Sequence, residues 1–138
     1  MSQIRTETDE VLSANLEFYR ALTSCDYPAM NAVWARDVPV HCVHPGWPAL
    51  VGREAVMQSW HSILANPEPT RVACHDDRAI VYPAFAVVIC EEELSAGLLV
   101  ATNMFVKEGG RWRMFHHQAS PLIGRQRPAP LQPRRRRR

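Results

Sequence analysis

Apolar residues recur at helical spacing through the first half of this chain and at a spacing of two through the second, with the change at Asn66 and Pro67. A helix buries a stripe and a strand buries a face, so helices packed on antiparallel strands satisfy both halves at once. Thr6 or Thr8 can cap a first helix whose opening turn holds Asp9 and Glu10, with Val11, Ala14, Phe18, Ala21 and Leu22 as its stripe. Asp26 can cap a short second helix, with Pro28 in its first turn, Met30, Val33 and Trp34 on one face, and Val38 and Pro39 as the stop. Residues 40–44 read as a strand and the segment HPGWPALVG as a turn. Gly52 then opens a third helix carrying Val56, Met57, Trp60, Ile63 and Leu64. Strands are predicted at about 70–76, 79–82, 84–94, 97–107 and 112–119, separated by turn signals at Asp76 and Asp77, Ser95 to Gly97, and Gly109 with Gly110. The expected class is α+β.

The long strands carry apolar residues on both faces, because Phe85, Val87 and Ile89 alternate with Ala86, Val88 and Cys90, and Leu98 and Val100 with Leu99 and Ala101. Helices cover one face only. A twofold homodimer is the simplest cover for the other, placed here at 84–90 and 98–106 with Val88 and Val100 facing away from the helices. The 138 residues suffice for one core. No run reaches the length of a membrane span, and residues 1–10 are too polar for a signal peptide, so a cytoplasmic protein is expected.

Of sixteen basic residues, seven arginines lie among the last fourteen positions, leaving nine bases against fourteen acids in the rest. The division expected is a domain over 1–123 and a disordered Pro/Arg-rich tail over 124–138, since the tail has too few apolar groups to order itself. An acidic domain without a reading motif is not expected to bind nucleic acid specifically. Cys25, Cys42, Cys74 and Cys90 are expected to be reduced thiols. No CxxC pair or helical HxxxH occurs, so no metal site is expected, and without a Gly-rich phosphate loop no cofactor is expected either.

Two segments about seventy residues apart concentrate the chemistry: HCVHPGW at 41–47 and WRMFHHQAS at 112–120. Strict alternation puts Trp112, Met114, His116, Gln118 and Ser120 on one face of the last strand and Arg113, Phe115, His117 and Ala119 on the other. A bulge would reverse which of His116 and His117 points inward. His44 and His116 are the candidate acid or base groups. Trp47, Trp60, Asn103, His116 and Gln118 are the candidate ligand-binding residues: the indoles for a flat apolar surface, the others for its polar end.

Three helices, an intervening strand and long antiparallel strands ending in W-x-x-x-H-x-x-x-S resemble the nuclear transport factor 2-like (NTF2-like) superfamily. The resemblance rests on VHCVHPGW at 40–47, GREAV at 52–56 and WRMFHHQASP at 112–121, covers about Glu7 to Leu122, and points to the SnoaL-like subgroup. It implies a cystatin-like cone, a curved antiparallel or mixed sheet wrapped around three N-terminal helices with an open pocket, usually in a dimer. Ketosteroid isomerases and the calcium/calmodulin-dependent kinase association domain are relatives within it. Against the isomerases, Phe18 stands at the oxyanion tyrosine with Tyr19 about 100° of helix rotation away. The general-base aspartate falls near Cys42 and the second oxyanion acid near Asn103 or Thr102. The third histidine frequent in the subgroup is replaced by Gln118. Two function classes follow: a module that binds a small hydrophobic molecule, favoured because acid and base equipment is incomplete, or an acid-base isomerase, cyclase or dehydratase acting on a hydrophobic cyclic or carbonyl substrate.

Overall fold

The computed structural model of the chain describes residues 4–123; the tail expected over 124–138 lies outside them. Helix α1 (Glu7–Thr23) starts at a reciprocal cap, Thr6 Oγ1 accepting from the Asp9 amide at 3.0 Å and Asp9 Oδ2 from the Thr6 amide at 3.2 Å. Helix α2 (Tyr27–Val33) is capped by Asp26, whose Oδ1 accepts from the Ala29 amide at 3.0 Å. It ends at Val33, earlier than the Val38 and Pro39 stop predicted. Carbonyls of its last turn and of the chain just beyond it are taken by arginines distant in sequence: Arg53 donates to those of Asn31 in the helix and of Trp34 and Ala35 after it, and Arg113 to that of Ala32. Those partners let the chain leave the helix with its carbonyl groups satisfied.

Strand β1 (His41–Val43) pairs with a two-residue strand β2 (Leu50–Val51) inside the segment predicted as a turn. Gly52, at φ 99°, then turns the chain into α3 (Arg53–Leu64). The remaining strands are β3 (Ala73–Val81), β4 (Ala86–Leu94), β5 (Gly97–Glu108) and β6 (Arg111–Pro121). The two pieces predicted at 70–76 and 79–82 are one strand, interrupted by an irregularity between His75 and Arg78 where Asp76 takes a φ of 54°. The acidic pair read as a turn is therefore a bulge. The six strands form one open sheet in the order β2-β1-β6-β5-β4-β3, antiparallel except for the parallel pair β1 and β6. This is the curved mixed sheet expected, packed on three helices.

The core lies between them. Val11, Phe18, Tyr19 and Leu22 of α1, Met30 and Val33 of α2, and Val56, Met57, Trp60 and Leu64 of α3 meet Ala86, Val88, Cys90, Ala101, Phe105, Met114 and Ala119 of the sheet. Val88 is wholly buried in this core, so its expected position on the face away from the helices is corrected. By alternation the residues facing away are Val87 and Ile89 of β4 and Val100, Thr102 and Met104 of β5. Ile80, Tyr82 and Ile89 remain 41%, 46% and 43% exposed.

Candidate functional site: a polar chain within the apolar core

The inner face of the sheet is not uniformly apolar. Asn15, Glu92, Asn103 and His117 are buried there beside His44 and Ser59. Their placement begins with an irregularity in β6. Met104 pairs with His116 while the next residue, Phe105, pairs with Met114, so Phe115 has no partner and the alternation is reset across it. Met114 faces inward before the bulge, and His117 and Ala119 face inward after it. His116 and Gln118 consequently turn to the opposite face, where the His116 Nδ1 lies 2.6 Å from the Nδ1 of His41 and Gln118 is exposed. The interior position that strict alternation gave to His116 and Gln118 is corrected: His117 occupies the inside.

From His117 a directed run of hydrogen bonds crosses the core. The imidazole Nδ1–H donates to Asn103 Oδ1 at 2.6 Å, which leaves the other ring nitrogen unprotonated. Asn103 Nδ2 donates to Asn15 Oδ1 at 2.8 Å and to the Tyr19 hydroxyl at 3.1 Å. Tyr19 donates to Glu92 Oε2 at 2.5 Å. Asn103, buried mid-strand, is thus fully engaged. Phe18 and Tyr19 are both buried, and it is Tyr19, predicted to be rotated away from the critical position, whose hydroxyl reaches this network.

Burial sets the electrostatics. It holds the Glu92 carboxyl above its ordinary range, against the lowering effect of the Tyr19 hydrogen bond, and Glu92 enters no ion pair among the described residues. Burial, and next the nearby Glu92 charge, hold the Tyr19 phenol well above its usual value. His117 is pushed down to about 3 and His44 to about 4, both mainly by desolvation, so both rings are neutral at pH 7. His116 is also lowered, by burial and then by His41. Burial pushes the Cys42 thiol up to about 12, which removes it as a nucleophile or base.

His44 sits at the second edge of the cluster. Ser59 Oγ donates to the Val56 carbonyl at 2.7 Å, so it accepts the His44 Nε2–H at 2.9 Å. The His44 ring stands edge-on to Trp47 and Trp60, each at 4.7 Å, and 6.5 Å from His117. Trp60 is also 6.0 Å from His117, and its buried Nε1–H has no partner. His44, Trp47, Trp60 and Asn103 therefore gather as a group. Sequence reasoning missed Asn15, Tyr19, Ser59 and Glu92 as members and left open whether His116 or His117 points inward. A usable signal existed for two: Asn15 interrupts the stripe Val11, Phe18, Leu22 at helical spacing, and Glu92 continues the inward series Val88, Cys90.

Among the described residues no group of three or more histidine, cysteine, aspartate or glutamate side chains is arranged to hold a metal ion. A surface depression of about 450 Å³, lined by Arg5, Glu10, Glu17, Arg111 and Trp112 among others, contains none of the cluster.

Comparison with known proteins agrees with this architecture. The SnoaL-like domain family matches residues 11–124. A candidate dehydratase of the NTF2-like family from Streptomyces avermitilis superposes with a TM-score of 0.80 at 33% identity, over 86% of this chain and 97% of that one. A candidate calcium/calmodulin-dependent protein kinase type II association domain from Thiobacillus denitrificans gives 0.74 at 33% identity, over 80% and 94%. The F-box protein SKIP8 of Arabidopsis thaliana is 27% identical over 118 residues, covering 84% of this chain and 51% of that protein, so the chain spans about half the length of this curated relative. The chain belongs to the SnoaL-like family, within the NTF2-like proteins.

Proposed function

We propose that this domain binds a small, largely apolar molecule against the inner face of its sheet, holding one oxygen-bearing group on the Tyr19–Glu92 end of the polar chain, and that it does so as a homodimer. The observation that carries the reading is the run from His117 through Asn103 and Tyr19 to Glu92, buried in an otherwise apolar core. An apolar core would fold with less desolvation, since each buried polar group costs about 1–3 kcal/mol when unpaired and returns only about 1 kcal/mol net when paired. A buried carboxyl with a raised pKa and no cation is also a common mark of a functional site. Trp47 and Trp60 beside His44 would supply flat apolar contact, and the unpartnered Trp60 Nε1–H a further donor.

A second reading, acid-base turnover, is favoured by the same two ends. A carboxyl held above its ordinary pKa range is suited, in its acid form, to protonate a leaving hydroxyl or a carbonyl oxygen, and the unprotonated nitrogen of His117, weakly basic because of its burial, is the proton acceptor at the other end. Loss of water from a hydroxylated carbonyl compound fits these roles, and the Streptomyces neighbour is named as a candidate dehydratase. The test is a thermal-shift and turnover screen of hydrophobic carbonyl and hydroxy compounds, repeated with Glu92→Gln. Binding retained with turnover lost supports the enzyme; binding with no turnover in wild type supports the module. No stabilisation of wild type by any compound, together with no small molecule released from protein purified from cells, would overturn both.

A further inference from the structure

We propose that Cys74 and Cys90 are a redox-active pair that closes to a disulfide between β3 and β4 when the protein meets a hydroperoxide. Cys74 pairs in register with Glu92, so Cys90, two residues away on the same inward series, is its diagonal neighbour. Each thiol alters the other's electrostatic environment. Further contacts converge on them: Asn15 Nδ2 donates to Cys74 Sγ at 3.8 Å, Asn103 Nδ2 to Cys90 Sγ at 3.9 Å, and the Tyr19 hydroxyl lies 3.3 Å from Cys90 Sγ. The strand irregularity that begins at His75, one residue from Cys74, supplies local freedom for the small shift that disulfide geometry requires.

Exposure orders the chemistry. Cys74 is half-buried whereas Cys90 is buried, so a solute reaches Cys74 first. The hydroperoxide ROOH transfers one oxygen to the Cys74 thiol, giving a sulfenic acid and ROH. The Cys90 sulfur then attacks the Cys74 sulfur, the S–O bond breaks, and the hydroxyl leaves as water with the Cys90 proton. The two sulfurs lose two electrons in total and the peroxide gains them. Interaction with Cys74 lowers the Cys90 pKa against the effect of burial, favouring it as the attacking sulfur. The hydrogen bond with Cys90, and then burial, raise that of Cys74 and make the first step slow, faster at higher pH. Closure draws the Cys90 sulfur from the Tyr19 hydroxyl and so acts on the proposed binding chain. This consequence rests on the binding proposal, whereas disulfide formation does not.

The test is treatment of the reduced, full-length protein with hydrogen peroxide, followed by alkylation under denaturing conditions, intact mass and peptide mapping. The expected product has lost two hydrogens and two alkylatable thiols within one chain, carries a Cys74–Cys90 linked peptide, and reverts with dithiothreitol, while Cys25 and Cys42 stay alkylatable. Cys74→Ser should form no intrachain bond, and Cys90→Ser should accumulate a sulfenic acid on Cys74 that dimedone traps. Recovery of all four thiols after prolonged peroxide, a bond to Cys25 or Cys42, a bond between chains, or oxidation of Cys74 to sulfinic acid in wild type without a disulfide would overturn it.

Discussion

Asn103 is the junction of the buried polar chain, since its amide joins His117, Asn15 and Tyr19 at once. Asn103→Ala should cost about 2–4 kcal/mol in urea denaturation, because it leaves several buried groups unpaired. A loss below about 1 kcal/mol would mean that solvent already reaches them. The two buried histidines predict a pH dependence. With folded-state values of about 3 and about 4 against 6.5 for an exposed ring, the unfolded chain takes up protons that the fold does not as pH falls below about 6.5. Their contribution is complete above that pH and is lost progressively down to about pH 4. Glu92 works in the opposite sense: its raised carboxyl value adds stability below 4.5 that disappears as pH rises through the folded value. Two rings outweigh one carboxyl, so the melting temperature should drop between about pH 6.5 and 4, and His117→Gln should flatten the slope. Nitrogen NMR should find both rings neutral at about pH 5.5.

At the scale of the element, one extra residue decides what the last strand presents. Without the unpaired Phe115, the alternation that buries Met114 would bury His116 and expose His117 in the same chain order; with it, His117 reaches Asn103. Periodicity alone cannot detect this, since a bulge depends on the register of β5 and on packing across the sheet. The earlier stop of helix α2 has a related reason: Arg53 and Arg113 satisfy the Asn31 and Ala32 carbonyls from distant positions. The β5–β6 turn, by contrast, was legible, with Gly109 at φ 58° and Gly110 at φ 81° in the left-handed region that a two-residue hairpin demands. Gly110→Ala should therefore destabilise the domain by about 1–2 kcal/mol, through backbone strain alone. Its Cβ would meet no atom within 4 Å, so an unchanged melting temperature would indicate a different turn.

For the molecule as a whole, the sheet face turned from the helices carries Ile80 and Ile89, 41% and 43% exposed, and grouped apolar exposure is what an interface covers. The homodimer proposed for it predicts that Ile89→Lys and Val100→Lys shift the protein to monomer in light scattering with the fold intact, since each would bury a charge at the interface. Wild-type monomer at micromolar concentration would end that proposal. Val88→Lys, in contrast, should unfold the domain, because Val88 lies in the core. A chain stopping after Ile123 should keep its melting temperature within about two degrees if the folded unit ends where proposed. No helix among the described residues is long and apolar enough to cross a membrane. Three helices followed by long strands, the caps at Asp26 and in the 6–9 turn, and the glycine hairpin were determined by the sequence itself, because each depends on residues close together in the chain, and the family by the order of three short motifs along it. The inward histidine, the reach of Tyr19 to Glu92 and the meeting of Asn15 with Asn103 were decided only by tertiary structure. The last two join residues more than seventy positions apart, and the first depends on the register of one bulge, which no local pattern encodes.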